Sequence, residues 1–249
     1  MRILFVSNGH GEIAIAQRIA HEVHRIAPDA AIDHLALVGT LSSHEMHDVG
    51  PRAEMPSGGL IAMGNVRNIA KDVRAGLPAL TCRQAAYLRR ARGRYDVAVT
   101  VGDVYALVMT LLARAHTVFV GTAKSVAVAG YGPFEALVLR RTRACFVRDE
   151  ATAAALRRRG VDALAANAIP DLVTPASEGN ARPMRGWSPA LALLPGSRDG
   201  AYADARFMLE VVRRVAEASH SLRAALSIAP GLNPRIFCRD AAESGWQVA

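Results

Sequence analysis

Apolar residues follow two patterns along the chain, short unbroken runs and helical spacings. The first run, RILFV, precedes residues 12–27, where apolar side chains recur at helical spacing at Ile15, Ile19, Val23 and Ile26. Further runs are IDHLALV (32–38), DVAVTVGD (96–103), HTVFVG (116–121) and ACFVRD (144–149), and two helical stretches (66–77 and 79–92) flank Pro78. Unbroken strands separated by helices predict a parallel sheet that helices cover on both faces.

The pattern is interrupted once, at residues 170–188. This stretch, PDLVTPASEGNARPMRGWS, is rich in proline and glycine and has little periodicity, which is typical of a linker. We therefore expect an N-terminal Rossmann-like domain (1–172), a linker (173–188) and a C-terminal Rossmann-like domain (189–249). The third part contains the strand-like LALLPGSR, LRAALSIAP and WQVA, but it is shorter than such a domain normally is, so it is expected to be incomplete.

Composition narrows the functional classes. No apolar run approaches the ~20 residues that span a bilayer, and MRILFVSN is too short for a signal-peptide core, so we expect a cytoplasmic protein. The net charge of +8 comes almost entirely from arginine, which reflects either genome base composition or a surface that attracts anions. The widely spaced Cys82, Cys145 and Cys238 match neither a disulfide framework nor a zinc site and are expected to be packing residues.

A glycine-rich turn, SNGHGE, joins the first strand to the first helix. Gly9-x-Gly11-x-x-Ala14 matches the dinucleotide-binding fingerprint in form, but no acidic residue ends the second strand to hold a ribose, and Glu12 would repel a pyrophosphate. Two interpretations remain. The turn is either a tight connection with a capping glutamate, or a polar pocket in which His10 and Glu12 face a hydroxyl-rich ligand.

Three further strand ends carry candidate chemistry. Asp103, in TVGDVYAL, is either a helix N-cap or a general base, and Lys124, in GTAKS, is either an anion contact or a solvated lysine. In LLPGSR, Ser197 can cap the next helix and Arg198 can pair with a phosphate. Asp149, in FVRDEATAAALRRRGV, is expected to open a helix.

Together these segments resemble one family. SNGHGE, PSGGLIAMGNV, DVRAGLPALTCRQ, VGD, VGTAKS, FVRDEATAAALRRRGV, NAIPD and LLPGSR occur in the order seen in lipid-A-disaccharide synthase-related proteins, over about residues 3–230. The resemblance implies an α/β fold of the GT-B type, with two Rossmann-like parallel-sheet domains. It implies that the first domain holds an acceptor and the second a nucleotide-sugar donor.

The motifs and the resemblance together give the candidate site residues, of which the resemblance supplies Gly9 to Glu12, Asp103 and Arg198. Catalytic roles fall on Asp103, Glu12 and His10, with Asp103 as the base. Substrate contacts fall on Gly9, Gly11, Lys124, Ser125, Asn167, Ser197 and Arg198. The implied partners are a UDP-sugar and a glycolipid-like acceptor, without nucleic acid, cofactor or metal.

Two classes of function follow. One is an inverting transferase, in which Asp103 deprotonates the acceptor hydroxyl and Arg198 stabilises the departing diphosphate. The other is a truncated or degenerate binding module. Two departures from the family pattern favour it: the family's glutamate is missing in PGSRDGAYADA, and Ala166-Asn167-Ala168 replaces the family's GNP triplet.

A basic face beside the acceptor pocket is a candidate for peripheral membrane contact. It is formed by the arginines at 89, 90, 92, 94, 140, 141 and 143.

Overall fold

The computed structural model describes residues 1–39, 45–55, 71–168, 190–196, 200–218, 222–229 and 232–246, with Gly186 and Ser188. The chain forms two compact units, Met1–Val173 and Thr174–Ala249. Most of the predicted linker and the last three residues of WQVA lie outside the described residues.

Unit 1 is built on a seven-stranded sheet in which each neighbouring pair of strands is parallel. Its strands lie in the order β3-β2-β1-β4-β5-β6-β7. Their bounds are β1 Arg2–Ser7, β2 Ala31–Ala36, β3 His47–Asp48, β4 Val97–Gly102, β5 His116–Gly121, β6 Ala144–Val147 and β7 Ala163–Ala165. The predicted parallel sheet is confirmed, and the short strands β3 and β7 add to the predicted set.

Helices cover both faces of this sheet. They are α1 His10–Ile26, α2 Leu77–Arg90, α3 Val104–Thr110, α4 Pro133–Leu139 and α5 Glu150–Arg157. Phe5 packs with Ala16 of α1 on one face, whereas Leu4 packs with Leu88 and Ala106 on the other. Alternate residues of β1 therefore enter two different cores, which explains why its sequence is an unbroken apolar run.

The predicted break at Pro78 is displaced. Gly76 has φ 94°, a left-handed conformation that favours glycine, and α2 begins immediately after it with Pro78 in the first turn. Proline is tolerated there because a first-turn N–H has no partner within the helix. The boundary between the two predicted helices therefore lies at Gly76.

Unit 2 repeats the α/β pattern on a smaller scale. Its strands β8 (Ala190–Leu193) and β9 (Arg223–Leu226) pair in parallel, and its helices are α6 (Ala201–Ala218) and α7 (Pro234–Glu243). Leu193, Leu209 and Val212 form the centre of its core.

The cysteines only partly follow the prediction that all three are packing residues. Cys145 is buried in the core of unit 1, where burial raises the pKa of its thiol to about 12. Cys82 and Cys238 are exposed, because both lie on outward faces of helices.

Candidate functional site

The carboxyl ends of parallel strands meet at one edge of a sheet, and unit 1 places its predicted site residues there. Gly9, His10, Gly11 and Glu12 follow β1, Asp103 follows β4, Lys124 and Ser125 follow β5, and Asn167 follows β7. His10 is the first residue of α1, but its side chain is not described, and Ser197 and Arg198 lie outside the described residues. We call this row of strand ends the carboxyl edge.

The two glycines of the turn have different reasons to be glycine. Gly9 has φ 102°, so its backbone requires glycine, and its N–H donates to the carbonyl of Val38 over 3.2 Å. Gly11 lies in the first turn of α1, and a Cβ added there would meet no heavy atom of the described residues within 4 Å, its chain neighbours and the backbone of its own helix aside. Among the described residues, the space beside Gly11 is therefore unfilled.

Glu12 extends across the end of β4. Gly102 has φ 138°, and a Cβ built on it would lie 3.4 Å from Cγ of Glu12 and 3.7 Å from Cβ of Asn8. The hydroxyl of Thr122 donates to Oε1 of Glu12 over 3.4 Å. Gly102 thus leaves room for Glu12 to reach from α1 to the end of β5.

Asp103 is the N-cap of α3, so the helix-cap interpretation is confirmed. Its Oδ1 accepts a hydrogen bond of 2.9 Å from the N–H of Ala106. Its Oδ2 accepts one of 3.2 Å from the side-chain amide of Asn8, the residue that precedes the glycine turn. Asp103 therefore also connects β4 to the turn, and a role as general base stays a prediction.

Lys124 is neither a simple solvated lysine nor an open anion contact. Its ammonium donates to both carboxylate oxygens of Glu135, over 2.7 and 2.8 Å. Glu135 also accepts from the N–H of Gly132 over 2.7 Å, which holds the acid at the start of α4. Both side chains are partly exposed, so an anion that reaches Lys124 would have to compete with Glu135.

Ser125 and Asn167 differ in surroundings. Ser125 is buried, and hydrogen bonds from Ser125 and Thr152 hold the pKa of Asp149 below its usual range. Asp149 caps α5 as predicted, so Ser125 takes part in that cap. Asn167 is half-buried directly after β7.

Two polar side chains of this edge and a buried pair of residues were not predicted from the sequence. Asn8 and Thr122 follow β1 and β5, and the rule that ligands gather at strand ends could have identified them. Oγ of Ser7 lies 2.8 Å from Nε2 of His34, and both residues are fully buried. Burial lowers the pKa of His34 to about 4, so this ring is neutral at pH 7.

The expected basic face does not lie beside this site. Its arginines lie in the last turns of α2 and α4 or in the segments that lead into β4 and β6, at the opposite, amino edge of the sheet. Arg140 donates to the carbonyl of Arg159 over 2.7 Å, and Arg92 to that of Leu112 over 3.1 Å. Arginine at a helix C-terminus complements the helix dipole, which explains the placement.

Apolar side chains are exposed near the carboxyl edge instead. They lie in the connection that leaves β5 and in the first two turns of α4: Val126, Val128, Phe134 and Leu137. We call these four residues the apolar rim. Within the described part of the chain, no helix has the length and apolarity needed to cross a membrane.

Solved structures identify the fold. The chain is similar to a protein of Listeria monocytogenes assigned as a UDP-N-acetylglucosamine 2-epimerase (TM-score 0.55, 12% identity, 98% of this chain and 66% of that one). It is similar to MnaA of S. aureus, solved with UDP (TM-score 0.58, 13% identity, 98% of this chain and 65% of that one). These likenesses show an α/β fold of the GT-B type with Rossmann-like units, and the chain spans about two thirds of each structure's length. No protein-family model and no curated protein sequence matches the chain.

Proposed function

We propose that this chain acts in transfer of a sugar from a UDP-sugar to a glycolipid-like acceptor, as a relative of lipid-A-disaccharide synthase. The observation that carries the proposal is the pair of carboxylates, Glu12 and Asp103, on either side of Gly102 at the end of β4. Gly11, whose added Cβ would meet no described atom within 4 Å outside its own helix, directly precedes Glu12 in the same turn. Carboxylates beside an open glycine turn suit hydroxyl groups, which donate hydrogen bonds to them.

The acceptor chemistry follows from the two carboxylates. Asp103 takes the proton of the acceptor hydroxyl while that oxygen bonds to the anomeric carbon and UDP leaves with the electrons of the broken bond. Glu12 binds a second hydroxyl, and Asn8 holds Asp103 in orientation through the 3.2 Å hydrogen bond. We further propose that Ser197 and Arg198 of unit 2 contact the donor diphosphate and that His10 contacts the acceptor.

The apolar rim supports the lipid part of the proposal. Val128 is 85% exposed and Phe134 is 70% exposed, although both are large apolar side chains in the segment that follows the candidate site. Apolar residues exposed beside a hydroxyl-binding edge suit a ligand with a sugar head and an apolar tail. The same residues favour peripheral contact with a membrane in which such a ligand resides.

The UDP-sugar donor is tested by thermal unfolding of the full chain with UDP, a panel of UDP-sugars, and the corresponding ADP- and GDP-sugars. A ligand at 100 times its Kd stabilises the fold by about 2.7 kcal/mol, which raises the Tm by about 5 °C for a chain of this size. We expect this shift with UDP and with one or more UDP-sugars only. Equal shifts with the ADP- and GDP-sugars, or none with UDP compounds, would contradict the donor assignment.

The alternative function is a sugar or nucleotide-sugar binding module without catalysis. The missing glutamate after PGSR and the altered GNP triplet favour it. The UDP-sugar that stabilises the chain is then incubated, radiolabelled, with the chain and a bacterial lipid extract. Stabilisation without transfer of label into the lipid fraction would support the binding module.

A further inference from the structure

One polar side chain of the carboxyl edge has no part in the site described above. Tyr131 lies in the connection from β5 to α4, between Val128 and Phe134 of the apolar rim. The residue is only 7% exposed, and it belongs to the same core as Phe119 and Leu139. Buried tyrosine hydroxyls usually have a hydrogen-bond partner, but this hydroxyl has none among the described residues.

Three contacts hold Tyr131 in place. Its ring meets the ring of Phe119 edge-to-face, with the centroids 6.4 Å apart and the planes at 80°. The ammonium of Lys124 lies 5.6 Å from the centroid of the tyrosine ring, which is within the range of a cation–π contact. The guanidinium of Arg159 donates to the backbone carbonyl of Tyr131. The side chain is therefore positioned by the fold itself, before any ligand binds.

The hydroxyl of this tyrosine lies at the end of β5. A Cβ built on Gly121, the last residue of β5, would lie 2.5 Å from the hydroxyl oxygen, closer than such atoms approach in proteins. The hydroxyl can occupy this place only because residue 121 has no side chain. Gly121 is paired in the sheet with Gly102, which Glu12 contacts and Asp103 follows. The hydroxyl therefore lies at the strand end next to the one that carries the proposed base.

The surroundings keep this hydroxyl protonated. Burial raises the pKa of Tyr131, and the thiol of Cys145 and the carboxylates of Glu135, Asp103 and Asp149 raise it further. A protonated phenol can donate a hydrogen bond, whereas a carboxylate can only accept one. A sugar hydroxyl does both, so it can accept from a phenol while it donates to a carboxylate. Tyr131 therefore supplies the donor that the carboxylates of this edge cannot supply.

We propose that Tyr131 is a specificity-determining residue for the acceptor, and that its hydroxyl beside Gly121 donates a hydrogen bond to a hydroxyl oxygen of the sugar head. This inference rests on the proposed binding of a sugar-headed acceptor at the carboxyl edge, but it requires neither the UDP-sugar nor catalysis. One connection of the fold then serves both parts of the ligand, because the apolar rim contacts the tail and Tyr131 contacts the sugar.

The test uses soluble glycosides that have a sugar head and an apolar tail. Titration calorimetry with the full chain measures the binding of octyl glucoside, octyl galactoside and octyl N-acetylglucosaminide, each below its micelle concentration. We expect at least one of them to bind more tightly than octyl tetraethylene glycol, which has the same tail and no sugar. Tyr131→Phe removes only the hydroxyl and should weaken that binding by about two- to tenfold, the size of one neutral hydrogen bond.

Monodeoxy forms of the glycoside that binds identify the sugar hydroxyl that Tyr131 contacts. One of these forms should bind the native chain and Tyr131→Phe equally, because the hydrogen bond is already absent. An equal loss of affinity in Tyr131→Phe for every deoxy form would overturn a contact with a sugar hydroxyl.

Tyr95→Phe is the matched control, since the hydroxyl of Tyr95 donates to Oδ2 of Asp33 over 2.6 Å. It should lower the Tm by about 3–10 °C, as loss of a hydrogen bond to a charged group does, and should keep the affinity for the glycoside. Tyr131→Phe should keep the native Tm, because its hydroxyl bonds to no described residue. A lower Tm in Tyr131→Phe would show instead that the hydroxyl is structural.

Unchanged glycoside affinity in Tyr131→Phe would overturn the role of Tyr131. So would equal binding of the glycosides and of octyl tetraethylene glycol to the native chain. None of these titrations contains a UDP-sugar, so the role of Tyr131 can fail while the UDP-sugar and label-transfer experiments succeed, and the reverse outcome is equally distinct.

Discussion

Gly102 and Gly11 both lie at the carboxyl edge, but a methyl group added by substitution with alanine would have different neighbours at the two positions. Gly102 has φ 138° and faces Cγ of Glu12 at 3.4 Å, whereas Gly11 is helical and faces open space. We therefore expect Gly102→Ala to cost about 1–3 kcal/mol of unfolding free energy. Gly11→Ala should be neutral or stabilising by up to about 1 kcal/mol, because alanine favours helix.

Urea unfolding followed by circular dichroism measures both variants. Because the new methyl of Gly11→Ala fills the open space, this variant should keep its fold and lose affinity for the acceptor. A destabilised Gly11→Ala chain would show that the glycine is structural, and unchanged acceptor affinity would remove the turn from the binding site.

His34 makes stability depend on pH. Its pKa is about 4 in the folded chain, below the ordinary value of 6.5, so the unfolded chain binds more protons between these values. The free energy of unfolding should therefore fall by about 3 kcal/mol from pH 6.5 to pH 4, and His34 should add no slope above pH 6.5.

The slope is measured by urea unfolding at several pH values. His34→Gln should remove this part of the slope, because glutamine does not titrate. His116→Gln, which replaces an exposed histidine at the start of β5, should keep it. An unchanged slope in His34→Gln would mean that other groups cause the acid sensitivity.

At the scale of elements, the long strands could be predicted because each is an unbroken apolar run with a core on both sides. The limits of HTVFVG match β5, and DVAVTVGD exceeds β4 by one residue at each end. Strands β3 and β7 could not be predicted, since two or three residues carry no periodicity. Gly76 was missed as a helix boundary because proline is the stronger sequence signal, although a first turn accepts it.

The sequence predicts where the candidate site lies in the sheet, but it does not predict the hydrogen bonds between the side chains of the site. Strand ends gather polar residues by topology alone, which placed Glu12 and Asp103 at one edge. Asn8 bonds to Asp103 across 95 positions of sequence, and Lys124 is paired with Glu135, which the motif GTAKS does not contain. Such pairings depend on side-chain directions that no local pattern specifies.

In unit 1, several acidic and many basic side chains lie at opposite edges of the sheet. The carboxyl edge carries Glu12, Asp103, Glu135 and Asp149, whereas many of the arginines that make the chain basic lie at the amino edge of unit 1. An edge rich in carboxylates suits neutral hydroxyls better than a diphosphate. This supports the proposal that unit 1 binds the acceptor and does not bind the donor diphosphate.

Label transfer to lipid, from the UDP-sugar that stabilises the chain, measures whether Asp103 acts as the base of a transferase. Serine is a good N-cap, so Asp103→Ser keeps the cap of α3 and removes the carboxylate. Asp149→Ser is the matched control, because Asp149 caps α5 through an equivalent 2.8 Å hydrogen bond from Thr152. We expect Asp103→Ser to lower turnover by about 100-fold or more, with unchanged UDP-sugar affinity, and Asp149→Ser to stay close to the native rate. Equal turnover in the two variants, or loss of UDP-sugar affinity in Asp103→Ser, would contradict this role of Asp103.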